Sequence, residues 1–498
     1  MRTGTQAEAC DYKGKIMESF DIVVIGAGPG GYPAAIRAAQ LGASVAIVER
    51  EQFGGTCLNW GCIPTKALIA TADLYQHIRH AEALGITVKG ASLDYAVMIG
   101  HKNQVVEKMR GGVKQLLTAN GVKQFVGTAS FKDRNTIEIA PVAQASLPVP
   151  GKSATGTAAC ATNQQIGAKK VIVATGSTSA VPGFLPKHPR IVESRGFLDL
   201  DKLPESLLVL GGGYIGCELA CMAAQCGVKV TIVELLEDIL LLLDPDVRRE
   251  VRGHMEQQLG IRVLTGKALE KIAADDKGVR GQCGDETLKA QLLLVSVGRK
   301  PVTDGLKLEN AGLKTSERGF IEADEYGRTK VATIYAIGDV TGKTQLAHYA
   351  TAQAIVAASN ACGRELQKHD TLVPGVIFTS PEVALVGITE QDAKKQGRTI
   401  KTGKFRFGGL GRAMAVNETV GFVKWIADEA TDQLLGAAAV GPHATELIAE
   451  ATAAIRSEST AAELGNTIHA HPTFSEVWME AAHALHGDAI HAPPKKRK

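Results

Sequence analysis

One pattern occurs twice in this chain and restricts its fold more than any other feature. An apolar strand leads into a glycine-rich turn, a helix of small residues and a second strand that ends in glutamate. The first copy has Gly26, Gly28 and Gly31 in the turn and ends at Glu49. The first glycine permits a tight turn, the second lets a pyrophosphate approach the backbone, and the third lets helix and strand pack. The acid follows about 20 residues later, as expected for binding to ribose hydroxyls. The unit therefore predicts a dinucleotide site.

The second copy has Gly211, Gly213 and Gly216 in its turn and ends at Glu234. A carboxylate at this position hydrogen-bonds the 2′-hydroxyl of NAD and repels the 2′-phosphate of NADP, so the sequence favours NAD. Two such units imply two nucleotide cofactors that exchange electrons. They predict an α/β fold with two Rossmann-like dinucleotide-binding domains.

Residues 54–66 follow the first unit and contain two cysteines, Cys57 and Cys62. On a regular helix, side chains at this spacing point roughly 140° apart, so a disulfide between them requires a distorted backbone. Gly61 and Pro64 favour such a distortion. A strained bond is more easily reduced than a buried structural one, which suits a catalytic dithiol. Two small core residues or half of a metal site remain alternatives, although a zinc site needs a second ligand pair and none lies nearby.

Charge and composition argue against several other functions. The 498 residues carry a net charge of +3, which does not indicate a nucleic-acid or anionic-membrane partner. No apolar run reaches the length of a membrane span. The nine cysteines are odd in number and scattered, so a reducing compartment with one functional pair fits better than a disulfide scaffold, and we expect a cytoplasmic protein.

Two further segments carry residues suited to chemistry. Asp339 ends a short apolar strand, where ligands of open α/β sheets bind, although a turn-forming role is the alternative. From about Thr371 the pattern changes to that of an α+β domain, which contains His471 and Glu476. A dithiol substrate needs a base because the thiolate is the attacking species, and imidazole suits neutral pH. Glu476 could orient such an imidazole.

Together, the cysteine segment, the paired glycine turns and three strand-end motifs resemble the flavin-dependent pyridine nucleotide–disulfide oxidoreductases. The motifs are residues 174–176, 298–301 and 337–339, and the likeness covers about residues 19–490. The segment is most similar to that of members that oxidise dihydrolipoamide, which read Cys-Leu-Asn-x-Gly-Cys-Ile-Pro-x-Lys. Trp60 stands where those proteins carry a small aliphatic residue. The resemblance implies FAD and NAD as cofactors, with no metal.

The resemblance also implies the residues that bind the cofactors. FAD would be bound by Gly26, Gly28, Gly31, Glu49, Gly127 and Asp339, with Ala347 near the isoalloxazine ring. Lys66 would lie beside flavin N5 and pair with Glu218, because a buried carboxylate keeps the ammonium charged. NAD would be bound by Gly211, Gly213, Gly216, Glu234, Ala268 and Gly298.

Four residues would carry the reaction. Cys57 would exchange with the substrate, Cys62 would form the thiolate that contacts the flavin, and His471, oriented by Glu476, would take the substrate proton. Pro472 is a candidate for the cis peptide bond found at this position in the family. In the family the base comes from the neighbouring subunit, so the resemblance implies a homodimer.

The sequence predicts a six-part division and a partner. The parts are a disordered leader (1–18), an FAD-binding domain (19–178), an NAD-binding domain (179–298), a central domain that completes the FAD site (299–368), a dimerisation domain (369–490) and a basic tail (491–498). The implied partners are lipoyl domains of a 2-oxo acid dehydrogenase or glycine-cleavage complex. Glu234 disfavours glutathione reductase, and mercuric reductase would need a cysteine after Cys362. A flavin-binding NADH sensor without turnover remains an alternative from another class.

Overall fold

The structure is a computed structural model that describes residues 17–142 and 163–493. Its described residues divide into two compact units. The first unit contains residues 17–53, 113–142, 163–176 and 301–369, and the second contains residues 54–112, 177–300 and 370–493. The six-part division stays a prediction. Residues 143–162, most of the leader and most of the basic tail lie outside the described residues.

The helices and strands have the following bounds. The α-helices are α1 (Gly31–Gln40), α2 (Gly55–Trp60), α3 (Cys62–Arg79), α4 (Tyr95–Ala119), α5 (Ser194–Leu198), α6 (Tyr214–Gln225), α7 (Pro245–Gln257), α8 (Ala347–Ala361), α9 (Glu390–Lys395), α10 (Gly411–Ala415), α11 (Ala444–Arg456), α12 (Ala461–Gly465) and α13 (Glu476–His486). The strands are β1 (Ser19–Ile25), β2 (Val45–Glu49), β3 (Lys123–Val126), β4 (Thr128–Asp133), β5 (Thr136–Ala140), β6 (Gln164–Val173), β7 (Ser177–Ser179), β8 (Ile191–Glu193), β9 (Ser206–Leu210), β10 (Lys229–Val233), β11 (Arg262–Leu264), β12 (Glu270–Asp275), β13 (Gly278–Cys283), β14 (Glu286–Ala290), β15 (Leu292–Val295), β16 (Arg299–Pro301), β17 (Ile334–Ala336), β18 (Gly375–Ile377), β19 (Val383–Gly387), β20 (Ile400–Arg406), β21 (Phe422–Asp428) and β22 (Leu434–Val440).

A seven-stranded sheet forms the centre of the first unit, in the order β3-β2-β1-β6-β5-β4 with β17 paired to β6. The strands β3, β2, β1, β6 and β17 run parallel, and Val24 is in register with Ile47 on one side and Ile172 on the other. Strand β1 reads as a continuous apolar run because a parallel strand is covered on both faces. Its side chains from Ile22 to Ile25 are at most 3 % exposed.

The second unit contains a parallel sheet of order β11-β10-β9-β15-β8 and an antiparallel sheet of order β18-β19-β22-β21-β20. The parallel sheet is the second dinucleotide-binding fold, with α6 after its glycine turn. In the antiparallel domain, Trp425 and Trp478 pack with ring centroids 4.7 Å apart. The predicted fold class, two Rossmann-like units and a C-terminal α+β domain, is confirmed.

A buried ion-pair cluster joins α7 of the second unit to the antiparallel domain. The Lys424 ammonium, 1 % exposed, lies 2.8 Å from Asp244, 2.9 Å from Asp246 and 2.6 Å from Glu390. These carboxylates come close enough to one another to hold a metal ion. Because the Lys424 ammonium already lies among the three carboxylates and pairs with each of them, we interpret the group as a structural ion-pair site. No helix among the described residues has the length and apolarity needed to cross a bilayer.

Candidate active site

The first glycine turn leaves no room for side chains at two of its positions. Gly26 has φ +96°, and a Cβ there would lie 2.5 Å from the carbonyl oxygen of Ala174. A Cβ on Gly31 would lie 1.8 Å from the carbonyl oxygen of Gly26. The third glycine therefore lets α1 start directly against the end of β1. This brings the N-terminus of α1, a favourable site for a phosphate group, to the edge of the sheet.

Glu49 closes the turn from the neighbouring strand. Its carboxylate accepts hydrogen bonds from the N–H groups of Ala27 and Glu51, each at 2.8 Å. Burial raises the pKa of the Glu49 carboxyl, and the two N–H donors oppose that rise. The N–H of Gly127 donates to the backbone carbonyl of Glu49 at 2.9 Å, so Gly127 lies beside it.

The other residues predicted to bind FAD belong to the same unit. Asp339 follows β17 and Gly127 follows β3, so both lie at the carboxyl ends of strands parallel to β1. The N–H of Gly338 donates to Gln353 at 2.8 Å, which fixes the turn that carries Asp339 to α8, where Ala347 is the first residue. A pocket opens at this edge. The residues that line it include Gly26, Glu49, Gly127, Thr128, Thr175 and Asp304.

The second glycine turn repeats this construction. A Cβ on Gly211, which has φ +106°, would lie 2.5 Å from the carbonyl oxygen of Ser296, and one on Gly216 would lie 2.2 Å from that of Gly211. Glu234 accepts from the N–H groups of Gly212 at 2.6 Å and Leu236 at 2.8 Å.

The remaining residues predicted to bind NAD lie at the same edge of this sheet. Gly213 has open space where a side chain would stand, as close approach of a phosphate requires. Lys267 donates its N–H to the carbonyl of Glu234 at 3.2 Å, which places the adjacent Ala268 nearby. Gly298 follows β15 with φ +127°. Both turns thus have the shape and the donors that fit a dinucleotide.

The cysteine segment is not a regular helix. Helix α2 ends at Trp60 and α3 begins at Cys62, with Gly61 between them at φ −140° and ψ −113°. Gly54 has φ +97° and precedes α2. The distortion that the sequence predicted between the cysteines is therefore present at Gly61.

The break brings the thiols of Cys57 and Cys62 into hydrogen-bond contact. The hydrogen bond from Cys57, helped by the positive charge of Lys66, lowers the pKa of Cys62 to about 7 although burial opposes it. The same hydrogen bond, together with burial, raises the pKa of Cys57. Cys62 is therefore the thiol that ionises first. Both residues are present as free thiols.

Lys66 stands one helical turn after Cys62 on α3, so the two side chains share a face. Its ammonium lies 2.8 Å from Glu218 of α6, and the Glu218 side chain is 6 % exposed. The other carboxylate oxygen of Glu218 accepts the N–H of Phe378 at 2.8 Å, and the Phe378 ring lies 4.5 Å from the Lys66 ammonium. The predicted Lys66–Glu218 pair is thus brought together, and it is held by a third element.

His471 and Glu476 form a hydrogen-bonded pair before and at the start of α13. His471 Nδ1 lies 2.9 Å from Glu476 Oε1, and Thr473 donates its N–H to Oε2 at 2.8 Å. Burial raises the pKa of Glu476, but these hydrogen bonds and nearby histidine charge outweigh it and lower the pKa. The His471 side chain is 76 % exposed, so Nε2 remains available, and the His471–Pro472 bond is cis as expected.

The structure does not bring every predicted catalytic residue together. Among the residues that it describes, no hydrogen bond or ion pair joins His471 to Cys57 or Cys62. Two residues that contact the candidate site were not identified from the sequence. Phe378 contacts the Lys66–Glu218 pair, and Arg195 stacks on Trp60. Neither lies in a recognisable motif, and both are far from their partners in the chain, so no local signal could have found them.

Comparisons with known proteins agree with this geometry. The family description "Pyridine nucleotide-disulphide oxidoreductase" matches residues 20–354, and its dimerisation domain matches residues 373–482. The dihydrolipoyl dehydrogenase of Chlamydia pneumoniae is 42 % identical over 478 residues, which cover 96 % of this chain and 99 % of that protein. The Haloferax volcanii enzyme of the same name is 43 % identical over 485 residues, covering 96 % and 98 %.

Solved structures are also similar to this chain. LpdA from Mycobacterium tuberculosis superposes with a TM-score of 0.84 at 26 % identity, covering 94 % of this chain and 99 % of that one. The HOCl-induced flavoprotein disulfide reductase RclA from Escherichia coli superposes with a TM-score of 0.82 at 28 % identity, covering 93 % and 100 %. The chain therefore belongs to the pyridine nucleotide–disulphide oxidoreductase family, and it carries a match to that family's dimerisation domain as well.

Proposed function

We propose that this chain is a dihydrolipoyl dehydrogenase, which oxidises protein-bound dihydrolipoamide to lipoamide and passes the electrons through FAD to NAD. Relatives of that name are similar over 96 % of the chain. The observation that carries the proposal is the thiol pair Cys57–Cys62, held in contact across the break at Gly61 one turn before the Lys66–Glu218 ion pair. A paired dithiol beside a fixed cation is suited to two-electron exchange with a substrate dithiol.

The dithiol reaction uses the difference between the two cysteines. In the oxidised enzyme, a substrate thiolate attacks Sγ of Cys57, the Cys57–Cys62 bond breaks, and Cys62 leaves as a thiolate. The second substrate thiol, deprotonated, then displaces Cys57, which yields cyclic lipoamide and leaves two electrons in the enzyme dithiol. The lowered pKa of Cys62 makes it the better leaving group, because leaving ability rises as the thiol pKa falls.

His471 takes the proton of the attacking substrate thiol at Nε2, the ring nitrogen that Glu476 leaves free. The carboxylate of Glu476 stabilises the imidazolium that forms, and its two oxygens are already fixed by His471 and Thr473. We infer that this imidazole serves the dithiol of a second copy in a homodimer. The dimerisation-domain match over residues 373–482 supports that arrangement.

When bound, FAD would supply the acceptor for the electron pair of the dithiol, and NAD would supply the final hydride acceptor. The chain's own contribution is to bind and orient both groups. The turn at Gly26, with Glu49, would hold the FAD dinucleotide, and the turn at Gly211, with Glu234, would hold NAD. Lys66 would place a positive charge near the flavin, because the buried Glu218 keeps it ionised.

The partners of the homodimer are lipoyl domains of a 2-oxo acid dehydrogenase or glycine-cleavage complex, which carry the dihydrolipoamide arm. The odd number and scattered positions of the nine cysteines suit a reducing, cytoplasmic setting. The near-balanced charge gives no reason to expect a nucleic-acid or membrane partner.

The test is a lipoamide assay with the purified, flavin-loaded chain, run with NAD and NADP side by side. We expect turnover with NAD, because Glu234 disfavours a 2′-phosphate. Cys57→Ser should abolish turnover and keep the flavin bound, whereas the matched variant Cys362→Ser, at a half-buried thiol of the first unit, should retain activity. Full activity of Cys57→Ser, preference for NADP, or a protein that stays colourless after flavin reconstitution would refute the proposal.

A further inference from the structure

Trp60 stands where the motif that the cysteine segment resembles has a small aliphatic residue, and it makes a contact that such a residue could not make. It is the last residue of α2 and lies between the two cysteines in the chain. The guanidinium carbon of Arg195 lies 3.8 Å from the centroid of the Trp60 ring. This is the shortest cation–aromatic contact among the described residues. Tryptophan is the side chain that binds a cation most strongly in this way.

Arg195 belongs to a firmly held element. The carboxylate of Glu193 caps α5 by accepting the N–H of Arg195 at 2.9 Å. The next turn buries Phe197 and Leu198, which are at most 1 % exposed. At the other end of α5, the buried ammonium of Lys102 donates to the carbonyl of Leu198 at 2.8 Å. The stack therefore connects Trp60 to a short helix that is fixed at both ends.

The segment that contains Trp60 is not capped in this way. Neither α2 nor α3 has a side-chain cap at its N-terminus, and the two helices meet at Gly61. Glycine has more conformational freedom than any other residue, so a rotation there would separate Cys57 from Cys62. Trp60 adjoins this glycine on the Cys57 side.

We propose that the Trp60–Arg195 stack is a positioning contact that holds α2 against α5 and keeps Cys57 within bonding reach of Cys62. The proposal deepens the proposed function, because it concerns the dithiol which that function uses. Its direct consequence is thermodynamic. Oxidised glutathione converts the two thiols into the Cys57–Cys62 disulfide and two reduced glutathione molecules, with two electrons and two protons passing to glutathione. The equilibrium constant of this exchange is the effective concentration of one cysteine thiol towards the other. This effective concentration falls when the two thiols are held together less firmly.

The experiment measures this equilibrium in the full-length, flavin-loaded chain without lipoamide or NAD. The protein is equilibrated in buffers of reduced and oxidised glutathione, quenched with acid and alkylated, and the peptide containing both cysteines is quantified by mass spectrometry. We expect Trp60→Val and Arg195→Gln each to lower the effective concentration about 3- to 10-fold, the range for a half-exposed cation–aromatic contact. The double variant should be no worse than either single one, since both remove the same contact.

Two further variants sharpen the test. Arg195→Lys keeps the charge but loses the planar face, so its effect should fall between those of wild type and Arg195→Gln. Arg328→Gln removes a comparable stack, on Tyr326 at 4.6 Å in the first unit, and should leave the equilibrium unchanged. A purely structural role for Trp60 would change the melting temperature but not this equilibrium.

An unchanged equilibrium in Trp60→Val, or additive effects of the two single changes, would overturn the proposal. If Trp60→Val does not fold, the substitution at the exposed Arg195 tests the proposal by itself. A wild-type equilibrium constant in Arg195→Gln would then overturn the proposal. The two proposals fail separately. A wild-type chain that exchanges with glutathione but does not oxidise dihydrolipoamide would refute the proposed function and leave the positioning role testable by the same equilibrium.

Discussion

The Lys66–Glu218 ion pair should shift the ionisation of Cys62 in opposite directions when its two members are removed one at a time. The charge of Lys66 lowers the pKa of Cys62, and the charge of Glu218 raises it. Lys66→Met should therefore raise that pKa above its value of about 7, and Glu218→Gln should lower it. Because the two side chains touch at 2.8 Å, a general disturbance of the fold would not predict opposite signs.

The size of the effect follows from the position of Lys66 one helical turn after Cys62. At an effective dielectric constant of about 20, unit charges about 6 Å apart interact by roughly 3 kcal/mol. The Lys66 side chain is 30 % exposed, and solvent screening reduces this to about 1 kcal/mol. That free energy corresponds to a rise of about 0.7 in the pKa of Cys62 in Lys66→Met. At pH 7 the thiolate fraction should fall from about one half to roughly one sixth.

The assay is the pH dependence of iodoacetamide alkylation at Cys62 in the reduced enzyme, followed by mass spectrometry of its peptide. Alkylation requires the thiolate, so the rate should increase with pH through about 7 in the wild type and at higher pH in Lys66→Met. Lys169→Met, which removes a surface ammonium that lies 2.8 Å from Asp21 in the first unit, should leave the profile unchanged. Shifts of the same sign in both ion-pair variants would refute the electrostatic reasoning.

Three further predictions test the base, a glycine turn and the buried ion pairs. His471→Gln should lower lipoamide turnover about 100-fold or more, because general-base catalysis contributes about a factor of that size. It should leave the glutathione equilibrium of the dithiol unchanged. Equal losses in turnover and in the equilibrium constant would contradict the assignment of His471 as the base. Gly31→Ala should give a chain that does not retain flavin, because the added Cβ would collide with a backbone oxygen. The control Gly111→Ala has open space around its Cβ on α4, and it should raise the free energy of unfolding in urea by about 0.5–1 kcal/mol. Lys424→Met should lower the free energy of unfolding by about 3–5 kcal/mol, since it leaves Asp244 buried without a counter-charge; a change below about 1 kcal/mol would contradict that.

The fold could be predicted where its requirements are local. Both glycine turns were found from sequence because a turn that admits no Cβ at Gly26 or Gly211 needs glycine at a fixed distance from a buried strand. The break at Gly61 was likewise visible, because a disulfide between two cysteines at this spacing is incompatible with a regular helix.

Contacts between distant parts of the chain could not be predicted in this way. Phe378 supplies an N–H to Glu218 and a ring to Lys66, yet nothing in its local sequence indicates either contact. Arg195 would have been read as a solvated charge, and only the path of the chain brings it over Trp60. Such contacts depend on how helices and strands pack together. The sequence pattern of one helix or strand does not indicate which other element packs against it.

The four glutamates of the candidate sites differ in a way that neither spacing nor resemblance indicates. Glu49 and Glu234 each accept two backbone N–H groups, so both oxygens hold the carboxylate in one orientation. Glu218 and Glu476 each accept one backbone N–H, and their second oxygen binds an ionisable side chain, the Lys66 ammonium or the His471 imidazole. A carboxylate fixed twice by the backbone is suited to orienting a neutral ligand, whereas one fixed once can stabilise a charge that appears or moves during a reaction. Every residue except proline supplies the same backbone N–H, so this distinction is invisible in sequence. It separates the two acids predicted to bind cofactors from the two acids predicted to support the chemistry.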